Sequence, residues 1–308
     1  MQTPDVSIIF VNYNTSALIN DCVRTILDKV VDITYEIIVV DNNTEQLDKV
    51  IEAAGDQRVH LQQLPDNVGF GLANNAGAGI ARGRNLFILN PDTLLVNNAV
   101  KILSDYLDTH PDTGICGGNL YDAELKPNHS LNHLTPGLFW ELDDLFRNLP
   151  VKIVYGKGAY FNHSGNPIEV PFITGADIMI RADLFRELGG FSSDFFMYYE
   201  DADLCRRVIK AGYRIASVPA ARIIHLEGGS ANFNQVNPVT LNYDEQGRIT
   251  YLRRHTSRLH RWASNTIHIS IYALGRALTR NPFFSYKLRS AVNAIFHPSP
   301  RSAEKKKS

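Results

Sequence analysis

The sequence predicts an α/β protein: a mostly parallel central sheet flanked by helices, followed by a basic helical extension. Three observations lead there. Strand and helix patterns alternate as β-α-β-α-β-α-β between residues 6 and 92, which calls for parallel strands joined by right-handed crossovers. The strands are unbroken apolar runs, as expected of a sheet covered on both faces. Charge divides near residue 251: residues 251–308 hold twelve Lys/Arg and one acid, Glu304, leaving nineteen Lys/Arg against thirty-one acids before them.

Taken in order, Val6–Tyr13 (VSIIFVNY) reads as a β-branched strand, and Asn14 with Thr15 caps a helix carrying Leu18, Cys22, Ile26 and Val30. Glu36–Val40 is a second strand, ending in Asp41-Asn42-Asn43. A helix from about Gln46 to Ala54 and a third strand, Val59–Leu64, follow. The turn-rich Asp66–Gly71 opens onto a helix over Leu72–Arg82, and that helix leads into Leu86–Leu89, which stops at Asn90-Pro91-Asp92. Ligands of open α/β sheets bind at the carboxyl ends of parallel strands, so Asp92 stands where a divalent metal with a diphosphate could sit. Asn12 and Tyr13, then Asp41 and Asn43, line the same edge. An aromatic ring beside a carboxylate suits a nucleobase and its ribose. The Gly69-x-Gly71 pair is not a dinucleotide fingerprint, because Asn74 stands where the third glycine belongs and the motif follows the third strand.

The second half is less regular. Asn97–Thr109 reads as a helix, Ile115–Leu120 as a strand, 122–170 as a long loop-rich region with scattered histidines, and Val170–Arg181 as strand-like alternation. Phe195–Arg207 (FFMYYEDADLCRR) then sets Glu200, Asp201 and Asp203 behind a block of aromatics. One acid, Asp201 or Asp203, suffices to cap the helix that follows. The surplus carboxylates at a helix start, walled by aromatics, suit a general base, although spacing alone does not choose among the three. Ile215–Pro219 and Ala221–Ile224 read as short strands, the second delivering His225 to a glycine-rich turn through Ser230.

The totals exclude disordered and fibrous classes. Cys22, Cys116 and Cys205 lie far apart with no metal-ligand spacing and read as reduced thiols of a cytoplasmic protein. The run Val6–Val11 is too short for a signal peptide or a span.

With these residues set out, the chain resembles the family-2 glycosyltransferases of GT-A fold, a Rossmann-like architecture, and in particular their bacterial rhamnosyltransferase-like branch. The resemblance rests on VSIIFVNYN (6–14), IVVDNNT (38–44), DNVGFGLANNAGAGIARG (66–83), ILNPD (88–92), ITGADIMIRADLFRELGGFSSDFFMYYEDADLCRR (173–207) and HLEGGS (225–230). It implies that Tyr13 and Asp41 contact the nucleobase and ribose, with Val11, Asn12, Asn43, Gly69, Phe70, Asn74, Asn75 and Asn90 around the donor. It further implies Mg²⁺ or Mn²⁺ on Asp92 and His225, and Asp201, paired with Glu200, as the base of a single inverting displacement. Position 90 is Asn where the broad family usually has the first acid of Asp-x-Asp, a variation the rhamnosyltransferase-like branch often shares. The implied donor is dTDP-rhamnose first, a UDP-hexose or UDP-galactofuranose next, and the acceptor a glycan or lipid-linked glycan.

These motifs divide the chain into a catalytic domain over 1–250, with a nucleotide-binding half at about 1–95 and an acceptor half at about 96–250, and a tail over 251–308. The tail mixes Arg with Leu, Ile and Trp262 but has no uncharged run long enough to span a bilayer, so it reads either as an interfacial helix on anionic lipid or as a helix packed on the catalytic domain with a solvated basic face. The resemblance favours the first, on the cytoplasmic face of the inner membrane, because the resembled enzymes often elongate lipid-linked glycans there. A nucleic-acid-binding role for the tail would leave Asp92 and Asp201 without a role, and a non-catalytic sugar-nucleotide binder would leave Asp201 without one; the acidic body and the Glu-Asp pair weigh against both. A nucleotidyltransferase on a similar fold would carry a glycine-rich phosphate loop where this chain has VNYNTS.

Overall fold

A computed structural model describes residues 3–42, 51–226, 237–279 and 281–297. The first half is the predicted parallel sheet. Strand β1 (Val6–Asn12) lies between β2 (Tyr35–Asp41) and β4 (Asn85–Leu89), and β3 (Val59–Gln63) pairs with the far side of β2, all parallel. Alternate side chains enter two cores. Ile8, Phe10, Ile37, Val39 and Phe87 face one, packed on helix α1 (Ser16–Lys29), while Ile9, Val11, Ile38, Val40 and Ile88 face the other, under helix α2 (Phe70–Ile80). Burial on both sides is why these strands read as continuous apolar runs.

The other half of the sheet is mixed. Beyond the short strand β5 (Thr93–Leu95) and helix α3 (Ala99–Thr109) comes β6 (Thr113–Tyr121), which pairs parallel to the long β11 (Arg214–His225). Between β4 and β6 sits β10 (Asp177–Arg181), antiparallel to both. The pairs of β11 with β5 and with β8 (Ile168–Glu169) are antiparallel as well, and β7 (Leu131–Asn132) forms a separate two-stranded ladder with β9 (Phe172–Ile173). The central sheet therefore has nine strands, parallel at one side and mixed at the other.

Four sequence expectations shift. The helix expected from Gln46 falls largely on 43–50, outside the described residues, and Glu52–Gly55 forms a single 3₁₀ turn. The two strands expected around Pro219 are one strand, β11, whose pairing with β6 slips between Ser217 and Arg222 and so accommodates the proline. The loop-rich 122–170 contains helices α4 (Leu138–Leu145) and α5 (Leu149–Tyr155). After α6 (Ala182–Glu187), helix α7 (Glu200–Lys210) starts at Glu200 with Tyr199 as its N-cap residue and no side-chain cap, so Asp201 and Asp203 lie inside the first turn.

The C-terminal region is helical and packed. Helix α8 (Pro238–His255) runs unbroken across residue 250, α9 (Arg258–Leu278) packs on α4, and α10 (Pro282–Phe296) packs on α8 and α9. Among the described residues no helix is long and apolar enough to cross a membrane.

Candidate active site

The ends of β1 and β2 meet as a hydrogen-bonded pair. Asn12 and Asp41 are register partners, and Asn12 Nδ2 donates to Asp41 Oδ1 at 2.8 Å. Asn12 Oδ1 accepts from the Thr15 N–H and hydroxyl, each at 3.1 Å, which closes the corner into α1. Val11 is buried beside them, and Tyr13, the next residue out, is 47% exposed. Asn42, which the sequence reading passed over, binds Asn67 Oδ1 at 2.7 Å and accepts from the Val68 N–H at 2.9 Å, holding the turn before α2. Asn43 and the glycine-rich 227–230 lie outside the described residues.

Residues 69–75 tie this edge to the acidic stretch. Gly69 has φ +88°, and a Cβ there would overlap the Phe196 carbonyl, which accepts from the Phe70 N–H at 3.0 Å. Gly69→Ala is therefore expected to cost about 1–3 kcal/mol of stability through backbone strain, measurable by urea denaturation. Asn75 holds the Phe191 backbone at both ends, donating to its carbonyl and accepting from its N–H at 2.8 Å each. Asn74 is buried in α2 and donates to the Phe70 carbonyl at 3.0 Å.

At the end of β4 the Asn90 N–H donates to the Ala176 carbonyl at 2.9 Å. Two residues on, Asp92 is 3% exposed. Its main-chain carbonyl accepts from Leu226, and its Oδ1 lies 3.4 Å from His225 Nε2. The pairing of β5 with the end of β11 sets His225 opposite Thr93 and brings the two side chains together. Asp92 Oδ1 accepts no hydrogen bond, an unusual state for a buried carboxylate oxygen. Among the described residues, no group of three or more His, Cys, Asp or Glu gathers as a closed metal cage.

The three acids of α7 separate by environment. Asp203 is fully buried and bound by Arg207 Nε at 2.7 Å, Arg254 Nε at 3.1 Å and His255 Nε2 at 2.7 Å. Burial alone would push its carboxyl up, but the His255 hydrogen bond and the charges of Arg207 and Arg254 hold it below the usual carboxylate range. Asp203 is thus a structural anchor. Among the described residues no cation pairs with Asp201; its Oδ2 accepts from the Gly175 N–H at 3.0 Å and its Oδ1 from its neighbour Ala202 at 2.7 Å. Burial raises its pKa, and the two N–H groups work against that rise. Glu200 is raised further, by burial and then by the charge of Asp201, and its Oε2 has no partner.

The turn Thr174-Gly175-Ala176 joins the two groups of acids: Gly175 holds Asp201 and Ala176 holds Asn90. Neither backbone contact has a sequence signature beyond the small residues between two apolar runs. On the other side of α7, Tyr198 and Tyr199 both adopt positive φ, +69° and +68°, and Gly247 of α8 lies so close that a Cβ would stand 2.6 Å from the Tyr198 carbonyl. Next to His225 a cavity of about 730 Å³ opens, lined by Asn128, His133, Trp140, Asp143 and Tyr160 among others. The Asn128 amide lies 3.5 Å from the His225 carbonyl.

A family model described as "Glycosyl transferase family 2" matches residues 7–189. The chain belongs to that family. A second model, "N-terminal domain of galactosyltransferase", matches residues 158–228, the span that holds Asp201 and His225. An N-acetylglucosaminyl-diphospho-decaprenol L-rhamnosyltransferase of Mycobacterium tuberculosis is 26% identical over 61% of this chain and 66% of its own length. The rhamnosyltransferase WbbL of Escherichia coli is 28% identical over 62% of this chain and 72% of its own. An uncharacterised Sinorhizobium fredii protein, y4gI, is 25% identical over 91% of this chain, which spans only 30% of it. Among solved structures, the mannosyltransferase PcManGT of Pyrobaculum calidifontis with GDP-Man and Mn²⁺ aligns at TM-score 0.55 and 17% identity over 97% of this chain and 82% of that one. GalNAc-T7 with UDP, GalNAc and Mn²⁺ aligns at TM-score 0.61 and 14% identity, over 97% and 59%. These two establish the GT-A fold for a family-2 chain.

Proposed function

We propose that this chain transfers a sugar, with inversion, from a nucleotide-sugar donor to a hydroxyl of a glycan or lipid-linked glycan, and that Asp201 is the base. The observation that carries this is the contrast within α7: Asp203 is neutralised by cations, whereas Asp201 is half-buried, paired with no cation among the described residues and oriented by two N–H groups. Burial and the neighbouring Asp201 charge disfavour charge on Glu200, while two N–H groups favour it on Asp201. The acceptor oxygen attacks the anomeric carbon, its proton passes to Asp201, and the bond from that carbon to the diphosphate breaks.

Tyr13 and Asp41 would contact the base and ribose, with Val11, Asn12 and Asn90 along the same strand ends. Asp92, whose buried Oδ1 accepts no hydrogen bond, and the neighbouring His225 would hold a divalent cation, Mg²⁺ or Mn²⁺. Bound there, the ion would offset charge building on the departing diphosphate. The rhamnosyltransferase relatives favour dTDP-rhamnose as donor, ahead of a UDP-hexose, and a lipid-linked acceptor. Such an acceptor fits membrane contact through the tail, where α9 leaves Leu259 and Trp262 exposed beside Arg258 and Arg261.

The test is the melting temperature with dTDP, UDP, GDP and ATP, each with and without Mn²⁺. A ligand at a hundred times its Kd adds about 2.7 kcal/mol. The expected result is a Mn²⁺-dependent shift with dTDP or UDP that Asp92→Ala weakens. No shift with any nucleotide would reject the reading.

A further inference from the structure

Helices α4 and α5 turn an apolar face to solvent. Phe146 is 58% exposed, Leu149 55%, Ile153 73%, Val154 71% and Tyr155 45%. Single exposed apolar residues are ordinary, but a contiguous set on one short segment marks an interaction surface. Its charges point to the partner. Within 145–157 every charged residue is a cation, Arg147, Lys152 and Lys157, and all three are exposed, in a body where acids outnumber bases. Of the acids of α4, Glu141 and Asp143 face inward and Asp144 is half-buried.

The face continues onto the tail. The Leu138 N–H donates to His260 Nε2 at 2.8 Å, and the residues flanking that bond, Phe139 and Leu259, are 69% and 74% exposed. It also borders the cavity beside His225, since Val151, Lys152 and Lys157 line that cavity together with Asn128.

We propose that the α4–α5 face docks on an anionic lipid bilayer. The apolar side chains enter the boundary between headgroups and acyl chains, and Arg147, Lys152 and Lys157 reach the lipid phosphates. The mouth of the cavity then opens at the bilayer surface. Lipid contact does not depend on the transfer reaction; only the delivery of a lipid-linked acceptor to Asp201 rests on that reading.

The test uses the full chain, floated with vesicles of phosphatidylcholine plus phosphatidylglycerol and with phosphatidylcholine alone. The variant is Ile153→Asp with Val154→Asp, both exposed enough that an unchanged melting temperature is expected. The expected result is flotation with the anionic vesicles only, weakened by salt and reduced about tenfold or more in the double variant. The nucleotide-induced melting shift should be the same in both proteins, so failure here leaves the transferase reading standing. Three results would overturn the proposal: no flotation of the wild type, equal flotation of the double variant, or a wild-type dimer in solution that the double variant abolishes, which would give the face to a second copy of this chain.

Discussion

Asp201→Asn is expected to reduce turnover by about 10²–10⁴-fold while leaving nucleotide binding, read from the melting shift, unchanged. The substitution keeps the shape of the side chain. Its remaining oxygen can still accept from either Gly175 or Ala202, but the new amide faces the other N–H, at a cost of about 1–3 kcal/mol. Removing a half-buried charge that pairs with no cation among the described residues offsets part of that cost. Stability should therefore move little while activity collapses. Asp203→Asn should behave in the opposite sense, because it strips a countercharge from Arg207, Arg254 and His255. Since burial raises the Asp201 pKa, the acidic limb of the rate profile should lie above the ordinary carboxylate value of about 4. Turnover of Asp201→Asn within a few-fold of wild type would remove Asp201 from the mechanism.

The second large effect lies in the helical region. His268 sets Nδ1 2.8 Å from Glu141 and Nε2 2.8 Å from Glu245; with both carboxylates ionised, each ring nitrogen must donate, which only a protonated imidazole can do. Arg248 joins the same two carboxylates at 3.0 and 3.1 Å, and Lys287 reaches Glu245 at 2.8 Å and also binds Asp244. Three anions and three cations thus connect α4, α8, α9 and α10. Glu245→Gln breaks the centre of this network and is expected to lower stability by about 3–5 kcal/mol in urea denaturation. Burial opposes charge on His268, but its hydrogen bonds to Glu141 and Glu245 prevail and raise its pKa. Its contribution is therefore complete below the unfolded value of about 6.5 and fades as pH climbs through the folded value. Burial likewise pushes Glu141 and Glu245 up, but His268 and the neighbouring cations hold both below the usual range. Their contribution is present above about 4.3 and is lost as pH falls through the lowered values. Wild-type stability should accordingly decline above about pH 6.5, and more steeply than that of Glu245→Gln. Equal slopes would show that His268 is not charged in the folded protein.

The parallel half of the sheet was legible because burial on both faces writes unbroken runs such as Leu86–Leu89. The antiparallel insertion of β10 was not, since the alternation in Asp177–Arg181 carries no direction. Helices α4 and α5 were hidden because several of their apolar residues point outward and Pro136 and Pro150 mimic loop signals. The strand-end acids could be found by position, whereas the roles within Glu200-Asp201-x-Asp203 could not. Successive residues of a helix turn to different faces, and which face meets Arg254 and His255 depends on residues some fifty positions away.

That separation has a bearing on biosynthesis. All strands of the sheet have been made by His225, yet Asp203 finds Arg254 and His255 only after α8 has been translated. Until then, among the described residues, the Asp203 carboxylate has only Arg207 as a cationic partner, and the first turn of α7 is held on one side only. A nascent chain can thus complete its sheet before α7, the helix that carries the proposed base, is secured from both sides.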